Sequence, residues 1–333
     1  MSSQSYYFNL ITKWSAEEDG HQYLLLQKKI AFLSEYLYYD YEPTYGTKPL
    51  FDQRLVLWLQ NLQSEDYQKA LLKLVPTIFY LGREELNCLY KTAFNTQIKN
   101  WLIKNGNKNF ESDDYLGYLE GEMKNTWFCP VTDSFRINQF YHINQITSKH
   151  TFRPDWRSLK KFADKEKIIQ YILAQGVKHI VLLEDFVGSG TQAKSPVTFA
   201  CELIKDERLA DVNLLFVPLM ICPKGVEKID TLHADSEKFS YESLIKIKNS
   251  DLINEEILEY FPENEDVVQM INETFDTVKG ALDNEEVKKL EPFGYKNTGG
   301  LVVMYTNTPN NSLPLIFLES DTWSPLFKRH SRD

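Results

Sequence analysis

The segment HIVLLEDFVGSGTQAKS, residues 179–195, sets two adjacent carboxylates, Glu184 and Asp185, between an aliphatic run and a loop of small residues. A core strand gains nothing from ending in two charges, which must stay solvated or find partners. Carboxylates so placed can accept hydrogen bonds from sugar hydroxyls and can bind Mg2+ through water. The loop that follows is Gly188, Ser189, Gly190, Thr191 and Gln192. Glycines between a strand and a helix let backbone N–H groups converge on an anion, and the helix N-terminus adds its positive dipole end. The same residues can also be read as a polar strand end followed by an ordinary turn.

A second chemistry competes for this loop. From Gly188 the run GSGTQAKS matches a Walker A phosphate loop, except that Ala193 stands where the second glycine belongs. Lys194 and Ser195 would then serve a nucleotide's β/γ-phosphates and its magnesium. Ala193 obstructs the backbone wrap that a glycine permits, and Pro196 is expected to begin the next helix too late for Lys194 to sit on its first turn. Glu184 and Asp185 would also face a polyphosphate.

The elements that must position these residues form a parallel sheet. Residues 126–131 read as a short buried strand, followed by the polar turn Thr132, Asp133 and Ser134. An amphipathic helix is expected over 156–175, stopped by Gly176. Strand 177–183, a helix over 196–209 and an all-apolar strand over 213–221 come next. Strands that do not alternate in polarity belong to a parallel sheet covered on both faces. Before this region, 22–105 has helical periodicity, with Pro76 ending or kinking one helix. After it, 251–289 reads as mostly helical, and 300–321 as two strands joined by a turn. The expected division is a helical region, 1–113, and an α/β domain, 114–333.

Composition bounds the function classes. The chain has 333 residues, of which 43% are hydrophobic and 25% charged, the balance of a globular protein. Its net charge of −10 argues against autonomous binding of nucleic acid, which wants a basic face. Much of that acidity lies in 251–291, with thirteen acids against three lysines, and reads as a solvated helical surface. Cys88, Cys129, Cys201 and Cys222 lack metal or CxxC spacing, so they are expected as buried thiols in a reducing compartment. No apolar run is long enough to span a bilayer, and the first residues lack a signal-peptide pattern. Cytoplasmic localisation, with no membrane partner, is the expectation.

IVLLEDFVGSGTQ resembles the phosphoribosyl-diphosphate (PRPP) motif of type I phosphoribosyltransferases. FCPVTDSFRINQFYHIN, and GYKNTGGLVVMYTNTPNNSLPLIFLESDTWSPLFKR near the end, look like phosphoribosyltransferase-like proteins of bacterial conflict systems, including effectors encoded beside retrons. Together these stretches span about 127–329. The resemblance implies a type I phosphoribosyltransferase-like α/β fold with a helical N-terminal region. In it Glu184 and Asp185 would meet the ribose 2′- and 3′-hydroxyls as the catalytic pair, with Asp185 near Mg2+. Residues 188–192 would hold the 5′-phosphate. The pyrophosphate loop would fall at 132–136, with Ser134 and Arg136 as ligands. Where purine-salvage members often carry an aspartate this chain has Gly188, so purine salvage loses support.

Asn307 and Asn310, with Thr308 and Asn311, are expected to line a hood over a nucleobase, stacked on by Trp323 or Phe327; turn chemistry alone is the other account. His142 and His150 flank the polar loop and are weak catalytic candidates. The expected function is an anti-phage effector acting on PRPP or another ribose-5-phosphate compound, by glycosyl transfer or N-glycosidic cleavage. A retron reverse transcriptase with its msDNA, or another defence-operon protein, would be the partner. A nucleotide-binding sensor without turnover is the rival, favoured by the lack of an evident catalytic base.

Overall fold

The computed structural model describes residues 3–45, 49–106, 115–146, 164–234 and 236–330. Two compact units divide the chain, 1–85 with 249–333, and 86–248. The expected boundary at 113/114 touches residues outside the described ones. The division into compact units falls within the helix Arg83–Thr92 and after Lys248.

The first unit opens with helices Ser3–Ser15, His21–Tyr36, Phe51–Gln60 and Glu65–Leu74. Ser64 caps the last of these by accepting from the Tyr67 amide, and the helix ends before Pro76, as proline's missing N–H requires. A short strand, β1 (Phe79–Leu81), then interrupts what periodicity reads as helix.

The second unit holds the sheet. Its strands are β2 (Thr126–Pro130), β3 (His179–Val187), β4 (Asn213–Ile221), β5 (Phe239–Tyr241) and β6 (Ile245–Lys246). The order is β2-β3-β4-β5, with β6 also on β4, and every pairing is parallel. β3 and β4 are buried along nearly their whole length, which is why their sequences are apolar without alternation. Helices Lys165–Ala174 and Thr191–Leu203 contribute Ile168, Ile169, Ile172, Val197 and Ala200 to the core beside Trp127, Ile180 and Leu214. Of the expected helix over 156–175, residues 156–163 lie outside the described ones. Its described part starts at the Asp164 cap and stops at Gly176, whose φ of 59° suits glycine.

Beyond the sheet the chain returns to the first unit. It forms the acidic helix Glu265–Lys279, the two-residue strands β7 (Leu290–Glu291) and β8 (Gly294–Tyr295), and β9 (Val302–Met304). β9 pairs in parallel with β1, Tyr80 opposite Val303. The second late strand expected here is absent: Pro314–Phe317 is a short helix led by its proline. The tail serves as core. Phe327 is 0% exposed and packs against Tyr38, Tyr41, Phe51 and Tyr80. Trp58 and Trp323 both donate to the Leu315 carbonyl, at 2.7 and 2.9 Å. Among the described residues no helix is long and apolar enough to cross a membrane.

Candidate active site

β2 stops at Pro130, opposite Leu183, while β3 runs on beside β4 to Val187. Glu184 and Asp185 therefore do not end their strand, as its apolar run suggests; they lie inside it, just past the end of its β2 neighbour. Glu184 sits opposite Pro218 and Val187 opposite Ile221. The chain leaving β2 crosses here, held by the Val131 amide on the Leu183 carbonyl at 2.8 Å.

That crossing brings Thr132 and Ser134 onto the acid pair. Thr132 Oγ1 lies 2.7 Å from Glu184 Oε1 and 2.6 Å from Ser134 Oγ. Ser134 Oγ lies 3.0 Å from Glu184 Oε1 and 2.8 Å from Asp185 Oδ1, which also accepts from the Phe186 amide at 2.8 Å. The two hydroxyl protons are too few for these four oxygen–oxygen contacts; a proton on Glu184 makes three, with one proton shared between two contacts. Burial points the same way. Glu184 and Asp185 are each 3% exposed, and desolvation, followed by the charge of Asp185, pushes the Glu184 pKa well above the carboxylate range. Glu184 Oε2 is buried with no hydrogen-bond partner among the described residues.

The loop after β3 is compact. Gly188, Ser189 and Gly190 are buried, and the helix starts at Thr191. Gly190 takes φ 72°, a left-handed conformation that favours glycine, and as the N-cap it brings no side chain to bond the first-turn amides. Amides at such a helix start can bind an external acceptor. Ser189 Oγ donates to Thr191 Oγ1 at 3.2 Å, while Thr191 and Gln192 are exposed. The helix begins earlier than the expected 196–209, and Pro196 lies inside it. Lys194 therefore does not lie ahead of the helix, as a start at Pro196 would require. Lys194 is the fourth helical residue, exposed, with its amide on the Gly190 carbonyl at 2.9 Å.

Lys228 is the residue that sequence reasoning missed. It rises from the helix Pro223–Ala234, and its ammonium donates to the Ser189 carbonyl and, at 3.1 Å, to Thr191 Oγ1. Its sequence carries no signal of its own; only the close approach of Gly225 to Gly190 brings its helix against the loop.

The other candidates are placed as follows. Arg136 is half-buried and leads into the helix Ile137–Ile143. His142 is exposed at the end of that helix, and His150 lies outside the described residues. Asn307 and Asn310 belong to the first unit. The Asn307 amide donates to the His330 carbonyl at 2.8 Å and accepts from the His330 and Thr308 amides at 2.9 and 3.0 Å. It pins the tail and is not presented to a ligand. Trp323, at 2% exposed, and Phe327 cannot stack on a base from inside a core.

Mg2+ has a limited donor set here. Among the described residues no three His, Cys, Asp or Glu side chains gather as a metal cage. One or two carboxylates suffice only for a Mg2+ that keeps its waters and is shared with substrate phosphates.

No curated protein and no solved structure matches the chain. The sequence model of the family described as PRTase-CE matches residues 55–329, across β1, the acid pair, the loop and the tail. A match over that much of its length settles the affiliation: the chain belongs to PRTase-CE, a phosphoribosyltransferase-like family.

Proposed function

We propose that the second unit binds a ribose-5-phosphate compound, PRPP or a nucleotide, and transfers or hydrolyses its glycosidic bond. The observation that carries this is an acid pair inside β3 with, five residues after Asp185, the left-handed Gly190 that leads into the next helix. Open α/β sheets bind ligands at the carboxyl ends of their strands. The loop amides would take the 5′-phosphate, and Glu184 and Asp185 the ribose hydroxyls.

In this reading Thr132 and Ser134 yield their places on the acids to the sugar's 2′- and 3′-hydroxyls. Asp185 accepts from one hydroxyl as a carboxylate. Glu184, entering protonated, donates to or accepts from the other, and its partnerless Oε2 gains a partner. The fixed sugar would develop positive charge at its anomeric carbon as the bond breaks, and the Asp185 charge favours that state. A Mg2+ arriving with a diphosphate would neutralise it, with Asp185 reaching the ion through water. The cellular role, on the resemblance to conflict-system proteins, is an anti-phage effector in the cytoplasm, acting with a retron reverse transcriptase and msDNA or another protein of its operon.

A sensor that binds the same compound without turnover is the alternative. What favours it is the cover of Thr132 and Ser134 over the acids and the lack of an evident base. Incubating the pure protein with PRPP, NAD or nucleotides separates the two. Mg2+-dependent consumption supports an enzyme; tight binding with every ligand recovered intact supports the sensor.

A further inference from the structure

We propose that Lys228 is the cation of the phosphate subsite, selecting a sugar that carries a phosphomonoester over the same sugar without one. The inference rests on the loop reading above and adds to it a residue from a different helix.

Close packing of glycines brings Lys228 there. A Cβ on Gly225 would lie 2.8 Å from Val187 Cγ1 and 3.0 Å from the Gly188 carbonyl oxygen, so only glycine lets the first turn of Pro223–Ala234 reach the loop. A Cβ on Gly190 would in turn lie 3.1 Å from Gly225 Cα and 3.2 Å from Lys228 Cδ. One helical turn after Gly225, Lys228 faces the same way, and its stem lies along Gly190. Its ammonium then reaches the Ser189 carbonyl and the Thr191 hydroxyl, on either side of Gly190.

A helix start offers an anion only partial charges, so selection of a doubly charged phosphate gains most from a full cation at its edge. Lys228 supplies one without belonging to the loop. The Thr191 hydroxyl that it holds is the loop hydroxyl at the exposed start of the helix, so an incoming phosphate oxygen meets hydroxyl and ammonium together. Lys194 is exposed, as the fourth residue of the helix that follows the loop.

Titration calorimetry with ribose 5-phosphate, inorganic phosphate and ribose tests this on the intact chain. Lys228→Gln should weaken ribose 5-phosphate and inorganic phosphate by about tenfold or more, as for loss of a charged hydrogen bond. Ribose affinity should stay unchanged, and Lys228→Arg should recover most of the loss. Equal binding of ribose 5-phosphate by Lys228→Gln and wild type overturns the role of Lys228 and leaves the loop reading standing. A loss shared by ribose, or not recovered by arginine, makes Lys228 a strut and also overturns it. If wild type binds no phosphate compound, the loop reading itself fails. Should Lys228→Gln not fold, acylation of wild-type lysines read by mass spectrometry decides. Ribose 5-phosphate should protect Lys228, and an unprotected Lys228 in the saturated protein contradicts the proposal.

Discussion

The Ser134 hydroxyl lies 2.8 Å from Asp185 Oδ1 and, at 3.0 Å from Glu184 Oε1, joins the two carboxyl groups of β3 through one oxygen. With the Thr132 hydroxyl 2.6 Å away it forms a close pair of hydroxyls resting on an acid pair. That is the arrangement a ribose would present.

If these hydroxyls stand where sugar hydroxyls go, Ser134→Ala should separate stability from binding. Without ligand it strips the Asp185 oxygen of a buried partner and should cost about 1–3 kcal/mol. Saturating ribose 5-phosphate refills the position, so the rise in Tm on adding ligand should be larger in the variant than in wild type. An equal or smaller rise in a thermal-shift series would mean that the hydroxyl does not stand in for the sugar.

Glu184 gives a pH signature. Its folded pKa lies above the ordinary value of 4.5, so the folded state holds a proton that the unfolded state has released. Its contribution to stability is full below that value and is lost as pH rises toward the folded pKa. Glu184→Gln mimics the protonated form. The variant should be more stable than wild type above neutral pH, with the difference shrinking toward pH 4, in urea titrations across that range. A variant less stable than wild type at pH 8 would contradict a neutral Glu184.

Lys194 and Ser189 distinguish the two readings of the loop. Lys194 is exposed, so Lys194→Ala should change ligand affinity by the equivalent of about 1 kcal/mol or less. Ser189 is buried, so Ser189→Ala should weaken binding more. Binding constants in the reverse order would favour a nucleotide phosphate loop.

The tail predicts a stability effect. Phe327→Ala empties the centre of the Tyr38, Tyr41, Phe51 and Tyr80 cluster and should cost about 3–5 kcal/mol. Ligand affinity measured well below the variant's Tm should be unchanged. A selective loss of affinity with an unchanged Tm would restore the stacking role expected of this ring.

β3 and β4 were legible because they are buried on both faces, and that burial writes itself as unbroken apolar runs; β5 and β6, three and two residues long, were not. The acid pair and loop were legible because a strand, two carboxylates and glycines fall within thirteen residues. Long-range pairings were not. β1 and β9 are three residues each, too short for a period, and they pair across more than two hundred positions of chain. Phe327 is the same residue type whether it stacks on a ligand or on Tyr38, and only packing separates the cases. Lys228 is one lysine among many until Gly225 brings its helix against Gly190. The start of the helix at Thr191 was obscured by Pro196, which fits inside a helix here although it removes one backbone donor.

The central claim is that one strand and its loop hold a phosphorylated ribose. A crystal structure of the protein soaked with ribose 5-phosphate tests it most directly. The account predicts the phosphate on the amides of residues 188–192, and the 2′- and 3′-hydroxyls on Glu184 and Asp185 in place of the Thr132 and Ser134 hydroxyls. Density for the ligand elsewhere, with Ser134 still bridging the two acids, would contradict it.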